Sequence, residues 1–206
     1  VEIEHSYMIN EEVKRFDISG IDFDLLRREF AKVKNQNLLM RDLEEIIQMK
    51  LDRMLFTNPE RINYYERYQK IIDDYNSEQD RATIEKTFMD LMDLANKMNQ
   101  EEQRYVREGF KSDEELTLYD MLFRNDLNKN DIKKLKAVAA ELLDKIKAKI
   151  SEYDHWTDKQ ETIAAVYNLI RDTLWAELPE CYDEASIWGY RQRIYEYVYT
   201  HYKDVA

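Results

Sequence analysis

The segment RYVREGFKSDEELTLYD, residues 104–120, contains a signal that ends one helix and a signal that begins the next. Gly109 follows an apolar run with helical spacing, and glycine most readily adopts the left-handed conformation found just after a helix. Ser112 and Glu115 have the spacing of a capping box, in which both side chains accept hydrogen bonds from free backbone N–H groups. The segment therefore predicts a joint between two helices, and by itself it indicates no activity.

The composition of the 206-residue chain favours helices throughout. Three glycines and two prolines supply little material for hairpins or sharp turns, so a β-rich fold is not expected. Apolar side chains recur at three- and four-residue spacings, which predicts an all-α protein built as a single multi-helix bundle of about seven or eight helices. We expect residues 22–206 to form this helical assembly domain. Residues 1–21 are expected to be an irregular N-terminal arm that connects it to a preceding domain of a longer polypeptide.

Charge and cysteine usage restrict the environment and the partners. The formal net charge of −12 argues against a general binder of nucleic acids or acidic membranes, although not against a local basic patch. No stretch is apolar and long enough to cross a membrane, and the start of the chain lacks the apolar core of a signal peptide. The single cysteine, Cys181, excludes an internal disulfide and fits a reducing compartment. These features predict a soluble, cytoplasmic protein without a membrane partner.

Local signals also mark the ends of individual helices. Asn58, which is followed by proline, is placed to cap a helix start. Thr157 and Gln160 have the spacing of a second capping box, which predicts that another helix begins there. Pro179 predicts the end of that helix, and the last helix is expected to cover residues 183–205.

Residues for catalysis, phosphate binding or metal binding do not cluster in the sequence. The glycines lie too far apart for a phosphate-binding loop. His5, His155 and His201 are isolated and lack the spacing of zinc ligands. Acidic residues surround Cys181, and a reactive thiol needs a basic or positively charged environment, so we expect an unreactive thiol. The sequence therefore predicts no catalytic residue, no cofactor-binding residue and no metal ligand in this chain.

A lysine-rich helix is the first of two features that point to binding. The helix predicted at residues 131–150 carries six lysines against three acidic residues. Such a helix is either a solvated amphipathic surface or a surface that contacts the phosphates of duplex DNA. Lysine without interleaved arginine or asparagine would position DNA and would not read its bases. The candidate DNA-backbone contacts are Lys133, Lys134, Lys136, Lys145, Lys147 and Lys149.

The aromatic last helix is the second feature. At helical spacing, its apolar and aromatic residues cover about twice the arc that a surface helix needs to meet its core. Either the helix is buried on two sides within the bundle, or one flank docks on another protein. Tyrosine and tryptophan are favoured anchors of protein interfaces. The candidate interface residues on this flank are Trp188, Tyr195, Tyr199 and Tyr202.

Several sequence blocks occur in a characteristic order. The most specific runs from Glu108-Gly109 to Glu115-Leu116-x-x-Tyr119-Asp120. The others are Ile21-Asp22-Phe23-Asp24-Leu25-Leu26, Asn58-Pro59-Glu60-Arg61, Ile71-Ile72-Asp73-Asp74-Tyr75-Asn76, and Asp154-His155-Trp156, in which His155 interrupts an Asp-Trp pair. Over about residues 20–178, these blocks resemble the C-terminal region of the restriction, or motor, subunit of type I restriction–modification enzymes.

The resemblance implies a role in assembly. In such subunits the upstream polypeptide holds a nuclease domain and an ATP-dependent DNA translocase, so ATP and Mg²⁺ belong to the parent subunit and not to this region. The region itself is implied to be a helical, non-catalytic module that docks the motor subunit onto the methyltransferase and specificity subunits near DNA. No catalytic residue of the family has a counterpart here. Direct contact with the backbone of duplex DNA is the alternative hypothesis.

Overall fold

A computed structural model describes residues 23–32, 36–77 and 81–203 of the chain. This part contains nine α-helices and no β-strand, and the structure is 82% helical, so the predicted all-α class is confirmed. The chain divides into two compact units, residues 1–104 (the N-terminal unit) and residues 105–206 (the C-terminal unit). Each unit has its own apolar core, a division that the sequence did not predict. The predicted arm at residues 1–21 lies outside the described residues.

The described part of the N-terminal unit consists of four helices and a short 3-10 turn. These elements are α1 (Phe23–Phe30), α2 (Gln36–Thr57), the 3-10 turn (Pro59–Arg61), α3 (Ile62–Ser77) and α4 (Arg81–Glu102). Helices α2, α3 and α4 pack against one another, and the Phe30 ring of α1 stacks on Phe88 of α4 with 3.7 Å between ring centroids. Asn58 caps the 3-10 turn, because its side chain accepts a hydrogen bond from the Glu60 N–H. The predicted cap at this position is confirmed.

Buried charges in the N-terminal unit have partners. Lys50, which is 3% exposed, donates hydrogen bonds to Asn99 Oδ1 at 2.6 Å and to Glu102 Oε2 at 2.7 Å. Arg61, also 3% exposed, donates from Nε to Glu101 Oε1 at 3.1 Å. These contacts follow the general rule that a charge taken out of water must be paired and hydrogen-bonded.

The joint predicted from the sequence begins at the end of a short helix, α5 (Arg104–Glu108). Gly109 has a φ of 83°, which lies in the left-handed region. Its N–H donates to the Val106 carbonyl at 3.1 Å, and the Phe110 N–H donates to the Tyr105 carbonyl at 2.9 Å. These two bonds define a Schellman helix end. The predicted helix stop at Gly109 is therefore confirmed.

The predicted helix start is confirmed as well, with one difference in its hydrogen bonds. α6 (Asp113–Leu122) is capped by Ser112, whose Oγ accepts from the Glu115 N–H at 3.2 Å. The Glu115 carboxylate accepts from the Lys111 N–H at 2.8 Å, and a standard capping box would use the Ser112 N–H. The reciprocal bond is thus shifted by one residue, and the N–H groups of Lys111 and Glu115 both have side-chain acceptors.

The C-terminal unit is a ring of four helices around one core. α6 is followed by α7 (Lys129–Ile150), α8 (Gln160–Glu177) and α9 (Glu184–Tyr202). α6 packs on α7, α7 on α8, α8 on α9, and α9 on α6, which closes the ring. Each helix contributes completely buried apolar side chains, among them Leu116, Leu142, Ile170 and Ile194. This packing determines which faces of α7 and α9, the helices that carry the candidate binding residues, point outward.

The connection between α7 and α8 buries a tryptophan. Trp156 is 0% exposed, and its Nε1 donates to the Tyr202 carbonyl at 2.8 Å. Thr157 does not cap α8, because the backbone continues in turns past this point while the indole is buried. The helix begins at Gln160, with Lys159 at the N-cap and no side-chain cap bond. The predicted capping box at Thr157 and Gln160 is therefore wrong.

The last two helix boundaries follow local signals. α8 ends at Glu177, ahead of Pro179 as predicted. α9 begins after Asp183, whose carboxylate accepts a hydrogen bond from the Ser186 N–H at 2.8 Å, and it ends at Tyr202. Residues 204–206, of which the predicted last helix included the first two, lie outside the described residues. Across the described ranges, no helix combines the length and the apolarity needed to cross a membrane.

Candidate functional site

Helix α9 has a buried face and an aromatic face that reaches the surface. The buried face contributes Ile187, Ile194, Tyr197, Val198 and Tyr202 to the core. On the other face, Trp188 is 48% exposed, Tyr199 is 40% exposed and Tyr195 is half-buried. Three of the four residues predicted as a protein interface therefore reach the surface, and Tyr202 does not.

Tyr202 belongs to the core and is 7% exposed. Its hydroxyl donates to Glu114 Oε1 at 2.6 Å, and its carbonyl accepts from the Trp156 indole. Burial, together with the bond to Glu114, raises the pKa of the Tyr202 hydroxyl. The side chain connects α9 to α6, so its placement in the predicted interface needs correction. Its position near Tyr199 on the helix suggested the surface flank, but the closure of the ring by α6 covers it.

The remaining aromatic side chains form a surface that we call the aromatic band, defined as Tyr167 of α8 with Trp188, Tyr195 and Tyr199 of α9. The ring centroids of Tyr195 and Tyr167 are 5.0 Å apart, and those of Tyr195 and Tyr199 are 6.0 Å apart. The buried Trp156 meets Tyr199 edge-on at 6.0 Å. Such ring contacts are favourable and restrain Tyr167, Tyr195 and Tyr199. The band is therefore seated on the core while part of its area faces outward.

Arg191 lies within the aromatic band and was not predicted as a site residue. It is 6% exposed. Its guanidinium carbon lies 3.4 Å from the centroid of the Tyr167 ring and 4.5 Å from that of Trp188. Its Nε and Nη1 atoms are buried and have no hydrogen-bond partner in the part of the chain that the structure describes. The side chain is thus a cation held between two aromatic rings.

Only a weak signal for this arrangement is present in the sequence. Trp188 and Arg191 are three residues apart, so their side chains are neighbours on one helix face. The ring that completes the enclosure, Tyr167, belongs to α8 and becomes a neighbour only when α8 packs on α9. An arginine in a charged helix is normally exposed to solvent. Sequence patterns therefore did not single out Arg191 as a site residue.

The lysines predicted to contact DNA lie on both flanks of the buried stripe of α7, and most of them pair with carboxylates. Lys136 pairs with Glu108 at 2.7 Å, and Lys149 pairs with Glu152 at 2.6 Å. The other ion pairs join Lys145 to Glu141 and Glu177, and Lys147 to Glu114. Hydrogen bonds with Glu141 and with Glu177 raise the pKa of Lys145. Through these pairs, lysines of α7 contact α5, α6 and α8.

The other two predicted DNA contacts differ from this group. Lys134 is exposed and donates to the Leu178 carbonyl at 3.3 Å. Lys133 is exposed, and within the described ranges it has no ion-pair partner. The structure therefore does not gather the six lysines into one unpaired basic surface, because four of them neutralise carboxylates of the same chain.

A cleft of about 390 Å³ opens where α8 ends and α9 begins. It is lined by Lys134, Trp175, Ala176, Leu178, Pro179, Glu180, Tyr182, Glu184 and Ile187. The Tyr182 hydroxyl donates to the Leu122 carbonyl at 2.6 Å, and burial raises its pKa. Lys134 donates to the Leu178 carbonyl, which also lines the cleft. Among the described residues, no group of three or more histidine, cysteine or acidic side chains is placed to hold a metal ion.

The chain matches the model of a known protein family over most of its length. A family model described as type I restriction enzyme HindI endonuclease subunit-like, C-terminal, matches residues 8–184. The match contains the joint at residues 104–120 and ends where α9 begins. Comparison with curated proteins gave no match, and comparison with solved structures gave none either. Because the matched segment spans most of the 206 residues, the chain belongs to this family, which comprises C-terminal regions of type I restriction endonucleases.

Proposed function

We propose that this chain is a non-catalytic docking module that joins the endonuclease, or motor, subunit of a type I restriction enzyme to its methyltransferase and specificity subunits. Family membership supports the assignment of this chain to the endonuclease subunit of such an enzyme. The observation that carries the docking role is the aromatic band on α8 and α9, which leaves large aromatic side chains partly in solvent. The band lies mostly on α9, so partner recognition in this hypothesis depends on residues beyond the family match.

The chemistry of the aromatic band suits a protein interface. Tyrosine and tryptophan bury a large area at a small cost in side-chain entropy, and they carry a disproportionate share of interface binding energy. Trp188 and Tyr199 are 48% and 40% exposed, so each has area left to bury on a partner. Because Tyr195 and Tyr199 are already held by contacts with neighbouring rings, little ordering of these two side chains remains to be done on binding.

A non-catalytic role is supported by the donor groups present. ATP binding in a motor requires a glycine-rich loop with backbone N–H groups that cradle phosphates. Gly109 terminates α5, and Gly189 lies inside α9. Neither glycine lies in a loop of that kind, which supports a placement of the ATP and Mg²⁺ outside this chain. We assign both to other domains of the parent.

The alternative function, contact with the backbone of duplex DNA, has less support. Binding of this kind gains affinity from cations that neutralise phosphates and release counterions. Lys145 and Lys149 already neutralise carboxylates of this chain, so a phosphate would have to compete with them. A gel-shift titration of duplex DNA over a salt series tests this alternative. Steeply salt-sensitive binding that is weakened in the double variant Lys145→Glu, Lys149→Glu would favour it over docking.

Co-assembly of the parent subunit with its purified methyltransferase–specificity complex tests the docking role. We expect Trp188→Ala and Tyr199→Ala each to weaken this association by about fivefold or more, because truncating an interface anchor costs over about 1 kcal/mol. Biolayer interferometry with the methyltransferase–specificity complex immobilised gives the dissociation constant.

Tyr65→Ala is the matched control, because Tyr65 is 37% exposed and lies on α3 of the N-terminal unit. We expect its dissociation constant to stay within about twofold of wild type. Normal assembly by a well-folded parent subunit that lacks residues 20–206 would rule out the docking role for this region.

A further inference from the structure

Arg191 is a buried cation to which the described residues supply no anion. The residue is 6% exposed, Nε and Nη1 lack partners, and no carboxylate in the described ranges forms an ion pair with it. Removing a charge from water without a hydrogen-bonded counter-charge is costly, so folded proteins pair such groups. Lys50 and Arg61 of the N-terminal unit follow that rule. Arg191 departs from it.

The two aromatic rings account for only part of what this guanidinium requires. Tyr167 and Trp188 attract its positive charge through their ring faces, at 3.4 Å and 4.5 Å from the ring centroids. Hydrogen bonds from a guanidinium leave in its own plane, where its N–H donors form a rigid fork that matches a carboxylate. The rings do not supply acceptors there. The site thus retains the capacity to bind one planar anion.

Trp188 forms the outer wall of this site. Its side chain is 48% exposed, whereas Tyr167 is half-buried on α8. The Trp188 indole makes a long hydrogen bond, 3.5 Å from Nε1 to Glu184 Oε1, which holds the ring only weakly. The inferred contact requires a rotamer change of this one side chain that opens the guanidinium to the partner.

We propose that Arg191 receives the carboxylate of an aspartate or glutamate side chain from the methyltransferase–specificity core, with Tyr167 and Trp188 as the walls of the site. This inference rests on the proposed docking function and adds the chemistry of the contact. Arginine flanked by tryptophan and tyrosine has the composition of an interface hot spot. A buried guanidinium that gains a carboxylate on binding also gives the interface a fixed register.

A single carboxylate suits this position better than a nucleic-acid phosphate. Helix α9 carries Glu184 and Glu196 within about two turns of Arg191, and the whole chain has a net charge of −12. This field repels a polyanion, whereas one carboxylate within an apolar contact needs only one cation. The aromatic walls exclude water from the pair and so strengthen it.

The test compares Arg191→Met with wild type in the full parent subunit. Methionine keeps much of the apolar stem and removes the charge. We expect Arg191→Met to bind the immobilised methyltransferase–specificity complex at least about 30-fold more weakly, as is typical when one partner of a buried interfacial charge pair is removed. Arg193→Met, two residues further along the same helix at an exposed position, is the matched control and should stay within about threefold of wild type.

A stability measurement separates docking from a structural role. If Arg191 gains its counter-charge only when the partner binds, Arg191→Met should leave the urea midpoint of the free protein unchanged or raise it, since an unpaired buried charge is removed. A lowered midpoint would assign Arg191 to the fold and overturn the inference. Unchanged affinity of Arg191→Met, with wild type binding normally, would overturn the inference and leave the docking role intact. Absence of binding by wild type would instead count against the docking role.

One further outcome addresses the nucleic-acid alternative. Binding of wild type to a short DNA duplex alone, lost in Arg191→Met and kept in Arg193→Met, would show that the site takes a phosphate and would overturn the carboxylate assignment. We expect Arg191→Met to leave any DNA binding unchanged.

Discussion

Replacing Glu114 with glutamine perturbs the contact that joins three helices of the C-terminal unit. The Glu114 carboxylate, on α6, accepts a hydrogen bond from the Tyr202 hydroxyl of α9 at 2.6 Å and pairs with Lys147 of α7. The side chain of glutamine has nearly the same shape and still offers one carbonyl oxygen. The substitution Glu114→Gln therefore removes the charge and leaves the packing of the three helices in place.

The expected loss of stability follows from the two contacts. A hydrogen bond to a charged group contributes about 1.5–3 kcal/mol, and a neutral acceptor retains about 1 kcal/mol of this. The Lys147 pair adds less than about 1 kcal/mol, because the two side chains are 44% and 37% exposed. We expect Glu114→Gln to lower the unfolding free energy of the C-terminal unit by about 1–2 kcal/mol at pH 7. For a unit of about 100 residues, each kcal/mol lowers Tm by about 4–8 °C.

The direction of the Glu114 pKa shift determines how the stability difference changes with pH. Burial alone would raise the pKa of Glu114, but the hydrogen bonds from Lys147 and Tyr202 and the charge of Lys147 outweigh burial and hold the pKa below its ordinary value of 4.5. A carboxyl group with a lower pKa in the folded state stabilises the fold above the unfolded pKa. That contribution is lost as the pH falls through the folded pKa. The stability difference between wild type and Glu114→Gln should therefore have its largest value at pH 7 and decrease below pH 4.5.

Tryptophan fluorescence during urea denaturation measures this difference. All three tryptophans lie in the C-terminal unit, and Trp156 is completely buried, so the signal reports the unit that contains Glu114. Glu152→Gln is the control, because Glu152 is 55% exposed and pairs with Lys149 at the surface. We expect it to change the unfolding free energy by less than about 0.5 kcal/mol. Equal urea midpoints of wild type and Glu114→Gln at pH 7, or a difference that persists unchanged to pH 3, would refute the reasoning.

Further predictions concern local contacts of the same unit, all measured by urea denaturation with far-UV circular dichroism. Trp156→Phe should lower the unfolding free energy by about 2–3 kcal/mol, because it leaves the buried Tyr202 carbonyl without its donor and opens a small cavity; a loss below about 0.5 kcal/mol would contradict this. Gly109→Ala should cost about 1 kcal/mol, since φ is 83° although no atom lies within 4 Å of an added Cβ. Gly189→Ala, which also meets open space but lies inside α9, should stabilise by about 0.5–1 kcal/mol, so a common sign for both glycine variants would be inconsistent with the backbone argument.

Predictions that depended on a few neighbouring residues were confirmed where hydrogen bonds among those residues determine the backbone conformation. The helix stop at Gly109 and the helix start at Ser112 follow from hydrogen bonds within five residues, so no distant element had to be known. The same kind of signal failed at Thr157. There the Trp156 indole is buried and bonded to the Tyr202 carbonyl of α9, and the backbone from Trp156 to α8 stays non-helical. A tertiary contact thus overrides the local capping preference.

The candidate binding residues show the same contrast between local sequence signals and tertiary contacts. The sequence placed lysines on α7 and aromatic residues on one side of α9, and those helices exist. It did not show that Lys147 pairs with Glu114 of α6, or that Tyr202 is covered by the same helix. Spacing along a helix defines its faces, but the neighbours of each face come from elements far away in the chain.

By itself, the sequence determined that this chain is all-helical, where its best-signalled joint lies, and that it belongs with the C-terminal regions of type I restriction endonucleases. Those conclusions rest on composition, on hydrogen bonds between near neighbours and on ordered sequence blocks, which are properties of the linear chain. Only the tertiary structure decided that the helices form two units, that the α7 lysines are largely paired, and that Arg191 is enclosed without an anion among the described residues. The physical reason is that burial and ion pairing depend on which side chains meet when separate helices pack.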